Sequence, residues 1–149
     1  MKTCCERLRD LFDEYEVAVR QADAHRPLGS GLLGMGPKRG DDPCHEAFDR
    51  QIAALCGEIA ADRPPAEEVG DAVELLLRAE DDRAWPEYTR WMLIAVQRHA
   101  LPLIPLLPEA RRQALYAWYK KRYPTFRRLP VQQQLLKAFQ SDQGFPARK

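Results

Sequence analysis

Apolar residues recur along this chain at three- and four-residue steps, the period of an α-helix buried on one side. Leu8, Leu11, Phe12, Tyr15, Val19 and Ala22 form the first such stripe, with Arg9, Asp13, Glu16 and Arg20 on the opposite side. Ahead of it, Thr3-Cys4-Cys5-Glu6 has the spacing of a capping box, in which Thr3 accepts from the amide of Glu6 and Glu6 reaches back to the amide of Thr3. The predicted helix ends near His25, because Pro27 disfavours helical geometry at Arg26 and lacks a donor itself. A second stripe, Cys44, Phe48, Ile52, Leu55, Cys56 and Ile59, comes after Asp42-Pro43, which reads as an N-cap and a first-turn proline. Pro64-Pro65 ends that helix and opens a third. Glu67 and Glu68 then sit in the first turn, where the macrodipole favours anions, and Val69, Ala72, Val73, Leu76 and Leu77 supply the buried face.

Beyond an acidic turn, Glu80-Asp81-Asp82, a fourth helix is expected from Trp85-Pro86 to His99, with Tyr88, Trp91, Met92, Ala95 and Val96 inward. Pro102, Pro105 and Pro108 punctuate the next stretch, Pro108-Glu109 opens a fifth helix running to Tyr123, and Pro130 opens a sixth through Phe139. No stretch alternates for long as a strand would, and no fixed-period repeat is visible. The pattern predicts one all-α domain over residues 1–149, a bundle or orthogonal array of five to six helices. Its main irregularity is a loop over residues 26–43, with five glycines, between the first two helices; residues 142–149 are expected to fray.

Composition fits this reading. With 149 residues, 45% hydrophobic and 30% charged, the chain can fold around a core without a disulfide or a metal. Met1 to Cys5 leads directly into charged residues, without the apolar core of a signal peptide. The most apolar stretch, Trp91 to Leu107, is interrupted by Gln97, Arg98, His99, Pro102 and Pro105, so no membrane span is expected. A cytoplasmic location is then the default. Four cysteines fit a reducing compartment, and Cys44 and Cys56 on one helix would lie about 18 Å apart, beyond disulfide reach.

Charge changes the picture more. Residues 109–149 carry ten Lys and Arg against Glu109 and Asp142, while residues 1–108 carry thirteen basic and twenty acidic side chains. A net charge of +1 therefore conceals a dipolar chain, and such asymmetry points to an electrostatic partner. Projecting the fifth helix at 100° per residue puts Ala114, Leu115, Trp118 and Tyr119 on one side and Arg112, Gln113, Tyr116, Lys120 and Tyr123 on the other. With Lys121, Phe126, Arg127 and Arg128 these outward residues would form one surface of charges and rings. A protein partner, which includes a second copy of the chain, and a nucleic acid both suit such a surface. Docking of the basic segment on the acidic helices is the internal alternative.

Other motifs weigh less. Gly29-Ser30-Gly31-Leu32-Leu33-Gly34 matches a dinucleotide fingerprint, but the strand that must precede it is missing. Lys38 and Arg39 ahead of a helix suggest an anion site, yet Asp41 and Asp42 occupy the same place. Cys44 in a helix's first turn suggests a nucleophile, but His45 beside it points about 100° away and cannot serve as its base. Zinc would need Cys4, Cys5, His25, Cys44 and His45 to converge, and they lack the usual ligand spacing. His99 reads as a cation at a helix C-terminus. Leu101 to Pro108 contains overlapping P-x-x-P and reads as a packed connector. No catalytic residue, metal or cofactor is therefore assigned. The sequence favours a non-enzymatic interaction module binding a macromolecule, with a nucleic-acid-associated protein as the alternative and a Cys44/His45 site third.

Overall fold

A computed structural model of the chain describes residues 2–24 and 44–141. Six α-helices make up most of it: α1 (Cys4–Ala24), α2 (His45–Asp62), α3 (Ala66–Asp82), α4 (Arg90–Ala95), α5 (Glu109–Arg122) and α6 (Pro130–Ser141). Short 3₁₀ turns at Glu87–Thr89 and Thr125–Arg127 and a longer 3₁₀ segment, Val96–Leu106, connect them. No strand occurs among the described residues, and the all-α expectation holds. The Gly-rich segment, with its phosphate and dinucleotide motifs and His25, lies outside the described residues, as does 142–149.

The capping box closes in both directions. The Glu6 amide donates to Thr3 Oγ1 at 3.1 Å and the Thr3 amide to Glu6 Oε1 at 2.8 Å, so two orphan donors at the start of α1 are satisfied. Cys4, Leu8, Phe12, Tyr15 and Val19 are buried along that helix, and Phe48, Ile52, Leu55, Cys56 and Ile59 along α2. The two stripes meet through rings: Tyr15 stacks on Phe48 at 4.0 Å, and Phe12 meets Phe48 edge-on at 5.4 Å. The start of α2 falls later than the sequence suggests, with Cys44 as its N-cap.

Helix α3 is the central element, packed against α1, α4, α5 and the 96–106 segment. Val69, Gly70, Ala72, Val73, Leu75, Leu76, Leu77 and Ala79 are all buried, more than one stripe, because neighbours cover it on several sides. Contrary to expectation, Glu80, Asp81 and Asp82 form its last turn rather than a loop. Carboxylates there oppose the helix dipole, and arginines beyond its last residue compensate: the C-cap Arg83 binds Asp82 at 2.9 Å, Arg122 binds Asp81 at 2.9 Å, and Arg90 pairs with Glu80.

The expected fourth helix is the largest correction. After six α-helical residues the chain tightens to 3₁₀ geometry from Val96 to Leu106. Pro102 and Pro105 cannot donate to the carbonyls four residues back, whereas a three-residue period places Gln97, Ala100 and Leu103 inward and His99, Pro102 and Pro105 on the opposite ridge. The connector is thus a packed helical strut carrying α2 on one side and α6 on another. Tyr88 and Trp91, expected inward, are half-buried. His99 does not sit at a helix C-terminus but within the 96–106 segment: its Nε2 lies 2.9 Å from Asp49 Oδ1, and Arg98 holds both oxygens of the same carboxylate at 2.9 Å.

Candidate interaction site

The basic helices pack as a hairpin in which α5 turns into α6 through Tyr123-Pro124 and the 3₁₀ turn 125–127. Pro124 and Pro130 bracket the corner. The amide of Leu129 donates to Gln132 Oε1 at 2.8 Å, which satisfies the first donor of α6.

Burial divides the residues assigned to the surface into two groups. Arg112, Leu115, Tyr119 and Tyr123 form the buried stripe of α5, whereas Ala114 is exposed and Trp118 half-buried under the Arg78 guanidinium at 4.3 Å. Arg112, 8% exposed, and Tyr123, 5% exposed, are therefore corrections to the projected outward face. The cause is amphipathic side chains. A long stem or ring buries while its polar tip finds a partner; the Tyr123 hydroxyl donates to Glu80 Oε1 at 3.0 Å, and the Tyr119 hydroxyl donates to buried Gln97. Loss of water pushes the pKa of both phenols up.

Two further arginines are neutralised inside the molecule. Arg111 lies across Gly70 to reach Asp71 at 2.8 Å, Glu74 at 2.9 Å and Glu67 at 3.5 Å. Arg122 grips Asp81 in a fork, Nε to Oδ2 at 3.0 Å and Nη2 to Oδ1 at 2.9 Å. That hydrogen bonding raises the Arg122 pKa and lowers that of Asp81. Glu80, with a side chain only 8% exposed, takes Arg90 and the Tyr123 hydroxyl and lies 3.9 Å from Arg122. Internal pairing thus accounts for the cations flanking the stripe.

Lys120, Lys121 and Arg128 are left. Among the described residues none of them enters an ion pair with a carboxylate. Lys120 and Lys121 are exposed, with the Lys120 ammonium 5.6 Å from the Tyr116 ring. Tyr116 is half-buried beside Phe139, and its hydroxyl accepts from Gln140 at 2.8 Å. Arg128 is fixed at the corner, Nε donating to the Tyr123 carbonyl at 2.9 Å. The side chain of Arg127 lies outside the described set. In the connection between α5 and α6, Phe126 is 82% and Leu129 42% exposed.

Two cavities meet at Arg90 and Arg122, and sequence reasoning missed both because their walls come from segments far apart in the chain. One, of about 250 Å³, lies between α4, the end of α5 and the start of α6, lined by Ile94, Tyr123, Pro124, Leu129 and Gln132 with Arg90 and Arg122 at its edge. The other, of about 290 Å³, shares those two arginines and continues past Glu80, Asp81, Trp85 and Glu87.

Cys4 and Cys5 join two helices. Cys4 Sγ lies 3.4 Å from the Glu68 carbonyl and Cys5 Sγ 3.6 Å from that of Asp71, which ties α1 to α3. The His45 ring sits 5.5 Å from Trp91. No group of three His, Cys, Asp or Glu side chains gathers to hold a metal among the described residues. No described helix is long and apolar enough to cross a membrane. The class these features define is an all-α bundle with a cationic, apolar-tipped hairpin. Comparison with protein-family models, with curated proteins and with solved structures finds no match.

Proposed function

We propose that this protein is an interaction module that binds an acidic macromolecule, a protein by preference, through the α5–α6 corner. The observation carrying this reading is the exposure of Phe126, 82%, in the turn between α5, which ends with exposed Lys120 and Lys121, and Arg128, cations without a carboxylate partner among the described residues. A large exposed ring contributes little to folding, whereas aromatic rings and arginines are enriched at protein interfaces and lysines suit their solvated rim. Electrostatic complementarity would speed encounter and select the partner's sign. The same ring among cations also suits stacking on unpaired bases, which makes single-stranded nucleic acid the second reading.

Titration with labelled polyglutamate and with an oligothymidylate of equal charge tests both. Binding of polyglutamate that weakens as salt rises from about 50 to 200 mM, and that Lys120→Glu with Lys121→Glu reduces at least about tenfold, is expected. A clear preference for the oligothymidylate would select the nucleic-acid reading. Failure of either polyanion to bind at low salt would reject the corner as a recognition surface.

A further inference from the structure

We infer that the two cavities meeting at Arg90 and Arg122 form one binding site for a small zwitterion with an apolar tail, of which a free α-amino acid with a large aliphatic or aromatic side chain is the simplest. Such a ligand is separate from whatever macromolecule the corner recognises. Spaces of about 290 and 250 Å³ lie just below the range of about 300–1,000 Å³ usual for small-ligand sites, and together they fall within it. Their linings differ. The larger carries Glu80, Asp81 and Glu87 beside the two arginines, whereas the smaller adds Ile94, Pro124 and Leu129 as apolar wall. A molecule spanning both is therefore polar at one end and apolar at the other, with the guanidinium groups between.

Those guanidinium groups keep donors for an anion. Arg83 and Arg111 each meet three carboxylates, so an arginine of this protein can serve several at once. Arg90 pairs only with Glu80, through Nε, and Arg122 uses Nε and Nη2 on Asp81. Among the described residues both Nη groups of Arg90 and Nη1 of Arg122 make no hydrogen bond. A carboxylate at the junction can accept from them while Glu80 and Asp81 hold the other edges.

The opposite sign is present as well. Glu87 lines the polar cavity, is exposed, and has no cation partner among the described residues. Three carboxylates stand there against two arginines, a net charge of −1 that draws an ammonium group. A fatty acid would leave Glu87 facing like charge, a phosphate ester would be repelled by all three carboxylates, and a simple amine would leave the arginine donors unmatched. A zwitterion answers both signs, and its tail gains burial against Ile94, Pro124 and Leu129.

The test is titration of the isotope-labelled full chain, followed by its amide resonances, with leucine and phenylalanine and with analogues that each lack one feature: glycine has no tail, N-acetyl-leucine no ammonium and leucinamide no carboxylate. Saturable shifts at Glu87, Arg90, Ile94 and Leu129 are expected with leucine or phenylalanine, and each analogue should bind at least about tenfold more weakly. Leu129→Gln and Glu87→Gln should each weaken leucine at least about fivefold, and Glu87→Gln should leave N-acetyl-leucine no weaker than before. Both positions are exposed, so wild-type helicity, checked by circular dichroism, is expected of the two variants. Absence of saturable shifts at these residues up to about 10 mM leucine or phenylalanine, analogues that bind as well as the amino acids, or variants that bind leucine unchanged would overturn the site. None of these outcomes bears on polyglutamate binding at the corner, which stands or falls by its own titration.

Discussion

Cys56 lies between Leu55 and Ile59 on the buried face of α2, and loss of water around its thiol pushes its pKa up to about 12. Cys4 is raised for the same reason, with Glu68 nearby adding to it. Thiols react as thiolates, so both should resist dithiobisnitrobenzoate at pH 8 in the native protein and react at the rate of unfolding. Rapid labelling of Cys56 in the folded state would contradict its placement. The linkage has a definite sign. An unfolded thiol ionises near about pH 8.5, so the stabilisation is complete below that pH and is lost as pH climbs toward about 12. Urea midpoints should therefore be lower at pH 10 than at pH 7, and Cys56→Ser should not be read as neutral, because a hydroxyl replaces the thiol in an apolar site.

At the scale of elements, Gly70 and Arg111 form a coupled pair. A Cβ on Gly70 would stand 2.9 Å from Arg111 Nη1 and 3.2 Å from its Cγ, so alanine there displaces the side chain that binds Asp71 and Glu74. Alanine in a helix interior gains about 1 kcal/mol over glycine, while partly exposed ion pairs are worth about 0–1 kcal/mol each. Gly70→Ala should thus be near neutral in the wild type and stabilising by about 1 kcal/mol in Arg111→Ala, measured by urea denaturation of all four proteins of the cycle. Equal effects in both backgrounds would show that Arg111 moves aside without loss. The elements themselves were legible where their causes are local: Thr3 and Glu6 start α1, and Pro64-Pro65 separates α2 from α3. The stretch after Trp85 was not, because periodicity alone does not tell an α-helix from a 3₁₀ strut once prolines recur every third residue.

For the whole molecule, the acidic α3 and the basic α5 are partly each other's counterions, and the acidic α1 is met by Arg83 beyond the end of α3. Hydrogen bonding to Arg122 lowers the Asp81 pKa, and hydrogen bonding to Arg83, with Arg20 assisting, lowers that of Glu16. A depressed carboxylate contributes stability present above its unfolded pKa, about 4 for these residues, and lost as pH falls through the folded value. Acid should therefore destabilise the protein below about pH 4.5. In Arg122→Gln the part due to Asp81 disappears, so the drop in urea midpoint between pH 6 and pH 3 becomes smaller. Asp81 is about half exposed, which keeps the difference under about 1 kcal/mol. An unchanged drop would mean that the Arg122 fork contributes nothing in solution.

The sequence by itself determined α1, α2, α3, α5 and α6, the capping box of α1 and the faces of α1 and α2, because backbone propensity, proline geometry and apolar periodicity act within a few residues. It also announced the charge asymmetry and the ring of Phe126 beside its cations. Only the tertiary structure decided which cations remain available. Arg111 and Arg122 look like Lys120 and Lys121 in one dimension, and their fates diverge because α3 brings Asp71, Glu74, Glu80 and Asp81 against the first pair and not the second. The burial of Arg112 and Tyr123 and the cavity beside Leu129 belong to the same category, since each depends on side chains brought together by packing between distant segments.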